Sequence, residues 1–110
     1  MTNIEFSRNG CGNIVKVELS GHTGFGDDGS DIVCAAVSAS LYMTLNGLEE
    51  VVGLQFGYEI KGGYSLIVIP DDTDAGKQRE ADVLLKSMMV FCGCLQDDYP
   101  ENISLTVLEV

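Results

Sequence analysis

Apolar and polar residues alternate along Ile4-Glu5-Phe6-Ser7-Arg8 and again from Ile14 to Ser20, the period-two signature of strands with one buried face. Between them Asn9-Gly10-Cys11-Gly12-Asn13 is a cluster of turn formers, so the two strands read as a β-hairpin. From Asp31 to about Glu50 the period lengthens: Val33, Ala36, Val37, Ser40 and Leu41 recur one or two turns apart, as on a helix. Gly53 ends that region. Leu54–Ile60 and Tyr64–Ile69 predict two further strands turned by Lys61-Gly62-Gly63. The run Pro70-Asp71-Asp72-Thr73-Asp74 offers a break and several N-caps for a second helix over Ala75–Gln96, which stops before Asp97-Asp98-Tyr99-Pro100. A last strand covers Ile103–Val110.

The order is ββαββαβ, with no internal repeat or linker. Two hairpins and two helices predict an α+β fold, a two-layer arrangement of a largely antiparallel sheet carrying both helices. The first helix carries no charge before Glu49. A helix apolar all round is buried on several sides, and in so short a chain a second subunit can supply part of that burial. A homodimer is therefore expected.

Composition adjusts this picture in three ways. A length of 110 residues fits a single domain, 1–110, with one core. The net charge of −11 argues against nucleic acid as the main ligand, because phosphates repel it, and favours encounter with a basic partner. No basic segment precedes an apolar one at the N-terminus, and the longest apolar run, Ile32–Leu45, is too short to span a bilayer. The expectation is a cytoplasmic protein that uses no membrane. Four cysteines at 11, 34, 92 and 94 with one histidine match no zinc pattern, so neither metal nor other cofactor is expected.

Candidate chemistry gathers around the glycine-rich segment Gly21–Asp31. His22, the only histidine, stands where the second strand ends. Twelve residues on, Cys34 falls in the first turn of the first helix, at N3 or N4 depending on whether Asp31 or Ser30 is the N-cap. The positive end of the helix dipole favours the thiolate, the nucleophilic form, and a neighbouring imidazole adds to this by taking the proton. Backbone N–H groups of the same turn offer an oxyanion site. Asp31 is open between capping the helix, orienting His22, or both. Gly24, Phe25, Gly26, Asp27, Asp28 and Gly29 form a candidate substrate loop, a lid whose acids would face a basic substrate. Cys92 and Cys94 sit among Met88, Met89 and Phe91 and are expected in the core; Cys11 lies in a turn, with no base nearby.

Two other motifs compete. Gly24–Gly29 formally matches GxGxxG after a strand, but Asp27 and Asp28 would oppose a pyrophosphate and no βαβ unit surrounds it. Asp71–Gly76 looks slightly like a calcium loop, yet the closing position holds Val83, and helix capping explains the acids better.

The stretch Gly21-His22-Thr23-Gly24-Phe25-Gly26, followed by Gly29-Ser30-Asp31-Ile32-Val33-Cys34-Ala35-Ala36-Val37-Ser38, resembles the signature of the ribosomal-processing cysteine protease family Prp (YsxB-like), and the likeness extends more loosely over the whole chain. The resemblance implies a cysteine endopeptidase that removes a short N-terminal extension from a large-subunit ribosomal protein, number twenty-seven of its series, during ribosome assembly. The family's histidine maps onto His22 and its nucleophile onto Cys34, and Asp31 matches a recurrent family acid. Homodimers, and cleavage after an aromatic residue in a short apolar motif, are implied as well, so an apolar groove is expected beside the acidic loop. The alternatives are a non-catalytic acidic module binding ribosomal protein or assembly intermediates, which would need neither His22 nor Cys34, and a thiol redox sensor at Cys34.

Overall fold

A computed structural model describes residues 1–22, 24, 26 and 31–110. The strands and helices are β1 (Thr2–Arg8), β2 (Ile14–Gly21), α1 (Ile32–Asn46), β3 (Gly57–Lys61), β4 (Tyr64–Val68), α2 (Ala75–Asp98) and β5 (Ile103–Glu109). The order matches ββαββαβ. The sheet runs β3-β4-β2-β1-β5, with every neighbouring pair antiparallel except β1 and β5.

Each hairpin forms where the turn chemistry placed it. Asn9 Oδ1 accepts from the N–H groups of Cys11 and Asn13, both at 3.0 Å, which folds the β1–β2 turn on itself. Register then puts Ile4 opposite Leu19, and Phe6 opposite Val17, on one face. Val17 in turn faces Ile67 of β4, so apolar positions line up across three strands. With Ile103 they meet Val33, Val37, Leu41 and Leu45 of α1 and Ala81, Leu85, Met88, Cys92 and Leu95 of α2 in one buried cluster. The other face of the sheet carries Glu5, Lys16, Glu18 and Thr106, so the molecule has two layers.

α1 continues without a break into a π-helical turn over Gly47–Val51, giving a helical run of 20 residues that is long and apolar enough to cross a membrane by length and composition. That is longer than the apolar run suggested. Val33, Val37, Leu41, Leu45 and Leu48 of this run are nevertheless core residues, so its apolar composition serves packing on the sheet. Gly53 stops it with a φ of +70°, and the N–H of Leu54 turns back to the carbonyl of Leu48 at 3.0 Å. Leu54–Phe56 is therefore connection and not strand, and β3 starts only at Gly57. At the start of α2, Asp74 accepts from the N–H groups of Gly76 and Lys77, the capping role expected of that acidic run.

Coverage of the sheet is uneven. On β3, at the edge, Tyr58 and Ile60 sit in register with Ile67 and Ser65 but remain 52% and 37% exposed. A ledge of sheet thus lies beside α1 without a helix over it.

Candidate active site

β2 ends at Gly21, and the chain leaves the sheet there in a conformation open to glycine alone. Its φ is +90°, and a Cβ at this position would stand 2.4 Å from the carbonyl oxygen of Met1. The Gly21 N–H donates to the carbonyl of Gly63, in the β3–β4 turn, at 2.9 Å. His22 follows directly and projects, exposed, at the mouth of the space between that turn and α1.

On the opposite wall, Asp31 is the N-cap of α1: its Oδ1 accepts from the N–H of Cys34 at 2.9 Å, and its carbonyl accepts from Ala35 at 3.0 Å. Cys34 is accordingly at N3, half-buried, over the positive end of the helix. The cap observed for Asp31 is a hydrogen bond to the backbone of the candidate nucleophile itself. It also engages the N–H of Cys34, and the helix engages that of Ala35, so neither amide is available to an oxyanion. The expectation that this turn supplies the oxyanion donors is narrowed to that extent.

His22 and Cys34 line one cavity of about 200 Å³. Leu19, Val37, Leu41, Tyr42 and Ile60 give it apolar walls, and Ser38 and Ser65 add hydroxyls. A second, larger recess is also lined by His22, Cys34 and Ser38, together with Gly24, Gly26, Asp31 and Ala35. Cys34, His22 and Ser38 are thus common to both recesses. Phe25, Asp27, Asp28 and Gly29 of the candidate lid, like Thr23 and Ser30, lie outside the described residues.

Sequence reading did not find Ser38, Tyr42 or Ile60 as lining residues. The first two follow Cys34 at i+4 and i+8, so helix periodicity carried a signal for them. Ile60 reaches the site only because β3 pairs with β4 at the edge, which no local pattern encodes. The nucleotide reading fails on the same topology: β2, before the glycine-rich segment, is flanked by antiparallel strands on both sides.

The other thiols are placed differently. Cys92 is fully buried, and loss of solvent pushes its pKa up to about 11, against a smaller opposing effect of its hydrogen bond with Ser40. Cys94, expected in the core, is instead exposed. Two residues on from Cys92, it lies on the far side of the same helix, at ~200° of rotation. Cys11 is exposed in the first turn.

Comparison with known proteins bears on this arrangement. Residues 1–104 match the family model described as cysteine protease Prp. The ribosomal processing cysteine protease Prp of Bacillus subtilis is 30% identical over 95 residues, covering 84% of this chain and 85% of that protein. Its Staphylococcus aureus counterpart is 31% identical over 110 residues, covering 96% and 97%. The crystal structure of an S. aureus Prp with a covalently linked product peptide superposes with a TM-score of 0.88 at 28% identity, over 97% of this chain and 99% of that one.

Proposed function

The chain belongs to the cysteine protease Prp family and is a cysteine protease; from that premise we propose that Cys34 is its nucleophile, His22 its general base, and a ribosomal protein precursor its substrate. The observation that carries the residue assignment is the shared cavity: one thiol at a helix N-terminus and the chain's one imidazole line it from facing sides. In the reaction, His22 takes the thiol proton and the Cys34 sulfur attacks the scissile carbonyl carbon. The tetrahedral intermediate collapses to a thioester as His22 gives its proton to the departing amine. Water, deprotonated by the same imidazole, then releases the acid and regenerates the thiol.

The substrate assignment is the N-terminal extension of large-subunit ribosomal protein number twenty-seven. Two features support it. A chain of net charge −11 draws a basic ribosomal protein toward it. The walls formed by Leu19, Leu41, Tyr42 and Ile60 suit a short apolar cleavage motif on one side of Cys34. The relatives named for ribosomal processing, and the S. aureus structure with its linked peptide, make this the natural candidate. We further propose that the enzyme acts in the cytoplasm as a homodimer. The uncharged outer side of α1, where Ile32 and Met43 are exposed, supports the second half of that statement.

The test mixes the protein with a precursor carrying the extension and follows intact masses. Wild type should shorten the precursor at one bond, and Cys34→Ala and His22→Ala should leave it whole. Cleavage that persists in Cys34→Ala sinks the residue assignment; an untouched precursor with wild type sinks the substrate.

A further inference from the structure

Among the described residues nothing tethers the proposed base. Among the described residues, no hydrogen bond or ion pair holds the His22 ring. The ring is exposed, and the residue before it is a glycine. Something else must limit the directions an imidazole can take there.

The β3–β4 turn supplies that limit. A Cβ built on Gly63 would stand 3.1 Å from Nε2 of His22, 3.6 Å from Cε1 and 3.8 Å from Cδ2. The Nε2 edge of the ring therefore lies over the side of Gly63 where a side chain would stand, near enough that the ring would have to give by a few tenths of an ångström to admit one. The Gly63 carbonyl also accepts the N–H of Gly21, so the backbone that launches His22 and the surface under its ring are fixed to each other at 2.9 Å.

We infer that Gly63 is a positioning residue for the reaction: its hydrogen, in place of a side chain, sets the depth at which the His22 ring sits beside Cys34. This rests on His22 being the base. A methyl group at 63 would push the ring outward by a few tenths of an ångström. Near-attack geometry is steep enough for that to cost about tenfold in rate, since roughly 1 Å costs about a hundredfold.

Gly63 has a φ of +74°, so Gly63→Ala also strains the turn, and the test must separate strain from intrusion. Gly12→Ala is the matched control, with a φ of +83° and nothing within 4 Å. Gly62→Ala adds a methyl group one residue away, again into open space. Gly63→Asn keeps the intruding Cβ on a residue that tolerates positive φ, and serves if Gly63→Ala does not fold.

Two readouts are taken on folded protein: kcat and KM for a precursor peptide, and the pH profile of Cys34 alkylation by iodoacetamide, followed by peptide mapping. Gly63→Ala and Gly63→Asn should lower kcat about tenfold with little change in KM. They should also move the alkylation profile toward that of His22→Ala. Gly12→Ala should lose stability but keep both readouts, and Gly62→Ala should keep all three. Wild-type kcat and alkylation in a folded Gly63 variant overturn the inference. If His22→Ala itself leaves the alkylation profile unchanged, the fault lies with His22 as base. If His22→Ala changes it and the Gly63 variants do not, only the positioning role fails.

Discussion

Cys34 and Cys92 are the same side chain on the same kind of element, and the molecule treats them in opposite ways. Cys34 is the third residue of α1, half-buried, its amide held by the Asp31 carboxylate, and it lines two recesses. Cys92 lies deep in α2, beyond the reach of water, in contact with Ser40 of the other helix. The first has an imidazole on its cavity wall, the second only apolar neighbours and a hydroxyl. With Cys34 as the proposed nucleophile, reactivity in this fold would be decided by where along a helix a thiol sits and what faces it across the gap. Adjacent apolar sequence does not decide it.

The largest test of this contrast is activity. Cys34→Ala should abolish cleavage, a loss of roughly 10⁴-fold or more if the nucleophile is removed, whereas Cys92→Ala should retain the wild-type rate per folded molecule; kcat/KM on a precursor peptide reads both. Chemical labelling is the next largest. At neutral pH iodoacetamide should modify Cys34 in the native state and Cys92 only after unfolding, and native-state labelling of Cys92 would erase the distinction.

Stability inverts the ranking of the two residues. Cys92→Ala leaves a small void under α1 and should cost about 1–2 kcal/mol in urea unfolding. It should also flatten the alkaline limb of the stability curve. The folded thiol keeps its proton to about pH 11, against an ordinary value of 9.0, so between those values the unfolded chain binds fewer protons than the folded one. Wild-type stability should therefore fall as pH rises through this window, and the slope should lessen in Cys92→Ala. The smallest effect concerns the cap. Asp31→Ala should lose about 1 kcal/mol of stability together with some kcat, because it frees the backbone of Cys34. Asp31→Asn, which still accepts that N–H, should keep the stability.

The contrast also marks what a sequence conveys. Both hairpins were legible because Asn9–Asn13 and Lys61–Gly63 are turn chemistry, read over a few residues. Gly53 and Asp74 announced a helix end and a helix start for equally local reasons. His22, Asp31 and Cys34 stood out through one short motif. The parallel union of β1 with β5 had no such mark, because it joins residues about a hundred positions apart. Cys94 was misplaced by its apolar neighbours, although its angle around the helix points it outward. Leu54–Phe56 was apolar and extended enough to suggest strand, but the π turn before it consumes the Leu54 N–H. Ile60 and Gly63 belong to the site through tertiary placement alone.

One consequence of the uncovered edge concerns width. A helix is about 10 Å across, and strands stand about 4.8 Å apart, so each helix roofs roughly two strands. Two helices above a sheet of five strands leave one strand over, and here it is β3, with Tyr58 exposed and Ile60 on the wall of the cavity that holds Cys34 and His22. The groove needs no dedicated scaffold, because it is the remainder of a division. A peptide laid along it would finish the upper layer, making substrate, for the length of one turnover, the missing member of the fold.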